Sequence, residues 1–339
     1  MTPAAEPLEF KFYFLDEAGN AKSFLRKKGR FEDGVLHLDA MEIPAAAMLD
    51  VQVLEDRMLF SVPTGEEELG SVLIKLSQAA DLKKRLDAAR SRTWADNYKQ
   101  KLTDEGRGAA YREEDCPRCG AVLVLSDMDR TPQVYCNFCG GLSTVDQQPP
   151  PAEAKYKLCD DCGMYSQPSK FTVFYFYFLL VVYGWRSRTK WCCKACMRSD
   201  SWKMLFGNLP FLLGVPVAVT QLVRAYSGGK LVEGQFAGLN GANVAARKQN
   251  WDAATAGYRK VLESVGVSAG VKYNMGLALR QAGRDEQAAR AFELSLKDCA
   301  NYTPAYAHLR ELLPALGEEE KLAELQRQWD EAEEQGAEA

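Results

Sequence analysis

The stretch that opens Cys116-Pro-Arg-Cys119-Gly is followed by three similar cysteine pairs: Cys136-Asn-Phe-Cys139-Gly, Cys159-Asp-Asp-Cys162-Gly and Cys193-Lys-Ala-Cys196. Each pair presents two thiolates from one tight turn, and two pairs complete the tetrahedral sulfur shell that a structural zinc ion prefers. The spacing therefore predicts two zinc sites, one formed by Cys116, Cys119, Cys136 and Cys139 and one by Cys159, Cys162, Cys193 and Cys196. Four thiolates leave no position for water or substrate, so both predicted sites are structural.

The two cysteine sets differ in how closely they fit a known pattern. The first, within residues 112–145, resembles a zinc ribbon, because its knuckles are short, a glycine follows each, and the linker has the length of a hairpin. The second, within residues 156–200, has a long loop between its halves, and Cys192 competes with Cys193 as the third ligand, so its register stays open. A disulfide framework is the alternative for both sets, but the polar start of the chain has no signal-peptide pattern. Reduced cysteines of this spacing predict a cytoplasmic protein.

The length and composition of the chain predict several domains of mixed α+β class. The chain has 339 residues, of which 47% are hydrophobic, and this exceeds one typical domain. Its formal net charge is -4, which gives no global attraction to nucleic acid.

Residues 8–103 read as short strands followed by one helix. Phe10 and Phe12 begin an alternation of apolar and polar residues that continues to about residue 63, and an apolar run at 71–76 leads into a charged helix predicted over 77–103. Antiparallel strands closed by one C-terminal helix resemble the pleckstrin-homology and GRAM-like barrel, which implies a ligand or peptide platform. A basic run in and beside the second strand indicates either attraction to an anionic membrane or a solvated edge strand; its members are Lys22, Arg26, Lys27, Lys28 and Arg30.

Two apolar stretches follow the first cysteine set. Residues 171–185 are aromatic and β-branched, too short to span a bilayer comfortably as a helix, and predict a β-hairpin within the second zinc unit. Residues 204–224 form an apolar segment whose first twenty residues carry no charge, but Asn208, Pro210, Pro216 and Gln221 interrupt them. This segment is predicted either to span a membrane, to lie in or re-enter its interface, or to form a buried helix.

Residues 236–333 have a helical sequence pattern that repeats. Ala254 and Tyr258 recur thirty-four residues later as Ala288 and Phe292, and Ala242 recurs as Gly276. This period and these small residues resemble the tetratricopeptide repeat, with a degenerate third hairpin from about residue 304. The resemblance implies a concave groove that binds an extended segment of a protein partner. The alternative is that the repeats dock onto the rest of this chain.

No catalytic motif is present, so a non-enzymatic protein is expected. The two histidines, His37 and His308, have no ligand-spaced neighbour. Asp160 and Asp161 in a knuckle turn indicate either solvated surface or groups that support the zinc ligands, and solvated surface is the commoner case. We therefore predict an adaptor that binds a protein partner through residues 236–333, with possible contact to an anionic membrane through residues 204–223. The alternative is a nucleic-acid-associated protein that uses the basic, tryptophan-rich stretch 185–203, which ranks below lipid contact.

Overall fold

A computed structural model describes residues 6–63, 69–126, 128–145, 153–179, 182–212, 214–227 and 233–337. By its internal contacts the chain divides into two compact units, residues 1–127 with 328–339 and residues 128–327. Each unit is described below by itself.

The first unit begins with one antiparallel sheet of seven strands. The strands are β1 (Leu8–Phe14), β2 (Lys27–Glu32), β3 (Val35–Leu38), β4 (Met41–Pro44), β5 (Leu49–Leu54), β6 (Arg57–Pro63) and β7 (Leu69–Leu76), in the spatial order β4-β3-β2-β1-β7-β6-β5. Over the residues that are described, β4 and β5 are the two edges and no ladder joins them. The predicted barrel is therefore wrong in that respect: the sheet is open, because strand alternation fixes which face is buried and not whether the edges pair.

The alternation of side chains sets the faces of this sheet. Phe10 and Phe12 on β1 are buried, together with Leu36, Phe60 and Ile74 from other strands, while Lys11 and Lys28 face each other on the exposed side. The basic strand β2 pairs with β1 on one side and β3 on the other, so the expectation that it is an edge strand is wrong.

Helix α1 (Ala79–Asp104) packs its apolar stripe on the sheet through Leu82 and Leu86. Its polar residues are not all on the solvent side, since Asp87, Arg90 and Ser91 are buried. The Ser91 hydroxyl accepts a hydrogen bond of 2.9 Å from the backbone of Val122. Helix α1 thus also supports the hairpin formed by β8 (Glu113–Asp115) and β9 (Val122–Val124).

The second unit contains three small antiparallel pairs. These are β10 (Gln133–Cys136) with β11 (Gly141–Thr144), β12 (Lys157–Leu158) with β13 (Tyr165–Ser166), and the long hairpin of β14 (Ser169–Leu179) with β15 (Val182–Cys192). The aromatic stretch of the sequence lies in β14 and at the start of β15. Helix α2 (Lys194–Asn208) begins directly after β15 and packs against β14.

The apolar segment 204–223 is not one helix. It is divided between the end of α2 and α3 (Val215–Ser227), which pack against each other as a helical hairpin. Asn208 is fully buried at the break: its amide donates to the Phe174 carbonyl at 2.9 Å and its oxygen accepts from the Phe176 backbone at 2.9 Å. Among the described residues, no helix combines the length and the apolar character that crossing a bilayer requires.

The rest of the second unit is a series of helical hairpins. The helices are α4 (Leu239–Arg247), α5 (Trp251–Val265), α6 (Ala269–Gln281), α7 (Asp285–Asp298), α8 (Thr303–Ala315) and the first part of α9 (Glu319–Ala337), which continues past the division at residue 327. The second helices of successive hairpins start at Trp251, Asp285 and Glu319, which are thirty-four residues apart, as the sequence repeat predicts. A Cβ atom on Gly276 would lie 2.6 Å from the Phe292 ring, so the glycine is what permits this close crossing of α6 and α7.

Candidate metal centres and an asparagine clamp

Three of the four cysteine pairs share one local turn. The carbonyls of Cys116, Cys136 and Cys159 accept hydrogen bonds of 2.8, 2.8 and 2.9 Å from the backbone N–H of the glycine four residues later. Those glycines, at positions 120, 140 and 163, have φ angles of +73°, +68° and +69°. The left-handed conformation is why a glycine follows each of these pairs, and it turns both sulfur atoms to the same side.

The first predicted set is divided between the two units. Cys116 and Cys119 belong to the first unit and Cys136 and Cys139 to the second, and the first three of these residues are buried. This group could hold a metal ion.

The second set comes together, and Cys193 rather than Cys192 belongs to the group. The Cys159 and Cys196 sulfur atoms are 3.7 Å apart and those of Cys162 and Cys193 are 3.9 Å apart. Cys192 is not in the group, because it is the last residue of β15 and pairs with Ser169, whereas Cys193 is the residue that precedes helix α2. Cys193 and Cys196 therefore lie at a helix N-terminus, where the helix dipole stabilises thiolates.

The geometry of the second set fits a tetrahedral ion. Four sulfur atoms about 2.3 Å from a zinc ion would lie roughly 3.8 Å from one another, and the two measured separations are close to that value. All ten cysteines are among the described residues, and no disulfide bond joins any of them. The disulfide alternative is therefore not what these residues form.

A basic side chain from the helical repeats lies against the second set. The Arg247 guanidinium, at the end of α4, donates hydrogen bonds to the sulfur atoms of Cys196 and Cys193. Burial alone would lower the pKa of Arg247, but these thiolates raise it above its ordinary value. Because a divalent ion held by four thiolates carries a net charge of −2, a neighbouring guanidinium compensates part of that charge.

The two aspartates of the second knuckle tie it to β15. Asp160 accepts a hydrogen bond of 2.7 Å from the Trp191 backbone, and Asp161 forms an ion pair of 2.6 Å with Lys190, which also contacts Asp200 at 2.5 Å. Burial opposes the charge on Lys190, yet the two carboxylates raise its pKa above the ordinary value. Asp160 and Asp161 are exposed, as expected for a knuckle turn, and their contacts also connect this turn to β15.

An asparagine of the repeats holds the second knuckle by its backbone. Asn274 on α6 is fully buried; its side-chain oxygen accepts from the Tyr165 N–H and its amide donates to the Tyr165 carbonyl, both at 2.7 Å. Asn243 on α4 donates to the same carbonyl at 3.0 Å and accepts from Asn274 at 2.9 Å. A Cβ atom on Gly270 would lie 2.4 Å from the Tyr165 ring, so this glycine makes room for it. We call this arrangement the asparagine clamp, formed by Asn243 and Asn274.

The same chemistry recurs one hairpin further along. The Asn301 side chain accepts from the Tyr135 N–H at 2.9 Å and donates to the Tyr135 carbonyl at 2.7 Å. Gln133 in the same strand accepts from the Ala269 backbone at 2.9 Å. The repeats thus dock onto cysteine-bearing segments of their own chain, which was the alternative to binding a partner at this face. The asparagines were missed at the sequence level, although a buried asparagine in an apolar helix must find hydrogen-bond partners.

Replacing Asn274 by alanine tests the clamp. Both backbone groups of Tyr165 lose their Asn274 bonds in a buried site, so we expect the free energy of unfolding to fall by about 2–4 kcal/mol. The measurement is urea denaturation followed by far-UV circular dichroism. The matched control is Asn250→Ala, since the Asn250 side chain caps α5 by accepting from the Ala253 N–H; it should cost only about 1 kcal/mol. Equal losses in the two variants would contradict the clamp.

The basic, tryptophan-rich stretch 185–203 is only partly available to a ligand. Lys190 is engaged by Asp161 and Asp200, and the Trp191 ring is covered by the Lys157 ammonium at 3.9 Å. Arg186 and Arg188 are exposed on β15, and Trp202 is exposed on α2; the side chain of Trp185 lies outside the described residues. The stretch does not form one continuous row of free cations and rings.

The two histidines lie apart from the sulfur sets. His37 is on β3 and contacts Glu42 at 3.4 Å. His308 is on α8 and stacks on the Phe292 ring with centroids 5.0 Å apart; burial, and then Arg280, lower its pKa. Neither is grouped with a cysteine or carboxylate set of the kind that could hold a metal, among the described residues.

Comparison with known proteins adds little to this geometry. No protein-family model matches the sequence, and no curated protein matches it. Among solved structures, a crystal structure of MamA shares 14% identity with a TM-score of 0.29, covering 43% of this chain and 81% of that chain. A second MamA structure shares 18% identity with a TM-score of 0.27, covering 40% of this chain and 77% of that chain. Likeness at this level says nothing about what the protein binds, and the fold stands on its own contacts.

Proposed function

We propose that this protein is a non-enzymatic scaffold that carries two structural zinc ions and binds a protein partner through the helices of residues 236–333. Zinc is the ion proposed for both sets because four thiolates in a closed tetrahedral shell suit it and leave no position for substrate. The ions would be held by Cys116, Cys119, Cys136 and Cys139 and by Cys159, Cys162, Cys193 and Cys196. Each would supply the folding free energy that a short knuckle lacks.

The observation that supports protein binding is the pair of hydrogen bonds between the Asn274 side chain and the Tyr165 backbone. The Asn274 side chain bonds the backbone N–H and C=O of Tyr165, each at 2.7 Å, and these bonds do not involve the Tyr165 side chain. Asn274 would therefore accept an extended segment of almost any sequence. In this chain the segment held is its own β13. A partner that supplied an extended strand would compete with β13 for the same asparagine clamp.

The competition can be tested in cells of the source organism with the full chain as bait and quantitative mass spectrometry of the captured proteins. Tyr165→Pro removes the N–H that β13 offers and leaves Asn274 intact, so it should enrich the partner severalfold. Asn274→Ala should lose the same partner. The matched control is Ser295→Ala, which removes a buried hydrogen bond of 2.8 Å to Ala269 away from the clamp and should leave capture unchanged. An identical set of proteins with all three variants would reject the proposal.

A further inference from the structure

The outer face of the α2–α3 hairpin is apolar and exposed. Its inner face is used for packing, since Met204, Ala218 and Ala225 are buried in one cluster with Phe171. The outer face presents large side chains whose exposed fractions reach 72% for Leu212 and 62% for Phe206; the others include Trp202, Val219, Val223 and Tyr226. Contiguous exposed apolar residues of this kind mark a surface that binds something else.

The tip of the hairpin is held in an unfavourable backbone conformation. Leu212, between the two helices, has a φ of +42°, a region that a side chain with a Cβ atom rarely adopts. Gly214 packs closely on Asn208, because a Cβ atom on Gly214 would lie 2.0 Å from the Asn208 side-chain oxygen. Asn208 is itself hydrogen-bonded to β14. The strain therefore keeps an apolar side chain exposed at the tip, where no packing within the described residues accounts for it.

The charges around this face have one sign. From residue 194 to 227 the chain has four cations, Lys194, Arg198, Lys203 and Arg224, and one acid, Asp200. The Asp200 side chain is only 10% exposed and pairs with Lys190 and Lys203, so the one acid within residues 194–212 and 214–227 is not a free carboxylate. On the adjoining β15, Arg186 and Arg188 are exposed as well.

Aromatic side chains connect the cations to the apolar surface. The Trp202 ring stacks on Phe206 at 5.8 Å, its N–H donates to the Tyr226 hydroxyl at 3.1 Å, and the Arg198 guanidinium lies 4.8 Å from the centre of the Tyr226 ring. Tryptophan and tyrosine with basic residues beside them are typical of the boundary between headgroups and acyl chains.

We propose that the α2–α3 hairpin is a membrane-interface anchor that inserts its apolar face, with Leu212 foremost, into one leaflet of an anionic bilayer without crossing it. The exposed cations bind the lipid headgroups, and the packing of α2 and α3 on β14 holds the hairpin in place. This inference concerns a different surface from the asparagine clamp and does not rest on the proposed scaffold function.

Flotation of the full, zinc-loaded chain with vesicles tests the anchor. We expect the protein to float with phosphatidylcholine vesicles that contain about 30% phosphatidylserine and to float far less with pure phosphatidylcholine. Phe206→Ser combined with Leu212→Gly should lower partitioning at least about tenfold. Leu212→Gly also relieves the positive φ, so its melting temperature should stay equal or rise while binding falls. The matched control is Leu294→Ser, which changes an exposed leucine on α7 and should float like the wild type.

Three results would overturn this proposal. One is a wild-type chain that does not float, or a double variant that floats equally well. Another is concentration-dependent dimerisation of the wild type that the double variant abolishes, which would make a second copy the occupant. The last is tight binding of a labelled single-stranded RNA or DNA, lost in Arg186→Glu with Arg188→Glu, without binding to vesicles.

Discussion

The full chain purified with added zinc should carry two zinc ions per molecule, and the double variant Cys159→Ser with Cys162→Ser should carry one. Structural zinc contributes about 10–16 kcal/mol of apparent binding free energy at neutral pH, which in such small units is folding free energy. The segment that carries the second cysteine set is expected to depend on it, since only a small buried cluster surrounds Cys159, Cys193 and Cys196. The measurement is elemental analysis by mass spectrometry together with native mass spectrometry.

A neighbouring cysteine offers a matched control for this experiment. Cys192 is as deeply buried as the ligands and adjoins Cys193, but it lies outside the sulfur group. Cys192→Ser should therefore keep both zinc ions, while Cys193→Ser should lose one. Retention of two ions by Cys193→Ser and loss by Cys192→Ser would contradict the register, and stoichiometric iron in place of zinc would contradict the identity of the ion.

Loss of the zinc ion from the second cysteine set should also affect the helical repeats of residues 236–333. Arg247 would be left near uncompensated thiols, and Tyr165, three residues after Cys162, would no longer be held in place for Asn274. We expect hydrogen exchange to accelerate in β12–β15 and at α4 and α6, and much less in α8. Exchange should differ between these helices because the second cysteine set contacts α4 through Arg247, and the nearby Tyr165 contacts α6 through Asn274.

The parts of the molecule that were predictable from sequence are those that short-range chemistry decides. A knuckle is a local turn, so the cysteine spacing and the glycine after it, such as Gly163, predict the sulfur group. The helical period is also local, and it predicted second helices that recur every thirty-four residues. The choice between Cys192 and Cys193 was not predictable, because it depends on where β15 ends and α2 begins.

The features that the sequence did not predict depend on contacts between residues that are far apart in the chain. The asparagine clamp joins Tyr165 to a residue 109 positions later, and no local pattern indicates that distance. Closure of the N-terminal sheet depends on whether β4 meets β5, which alternation does not specify. Composition and the prolines at 210 and 216 indicated an interrupted apolar segment, but the contact of Asn208 with β14 at the break was not predictable.

Ala288→Trp should unfold the helical repeats, with a loss of at least about 3 kcal/mol in the free energy of unfolding. Ala288 lies on α7, is fully buried, and belongs to the same core cluster as Tyr258, Leu277 and Phe292. A bulky ring there would force α6 and α7 apart at a crossing so close that Gly276 has no room for a Cβ atom. The loss should appear as a lower urea midpoint and a lower melting temperature by circular dichroism. The same change at Ala256, which is exposed on α5, should cost less than about 1 kcal/mol. The repeats hold β10 and β13 through asparagines, so Ala288→Trp should also make both zinc ions easier to remove with a chelator. If the helical domain were independent of the sulfur sets, it would unfold while zinc retention stayed unchanged.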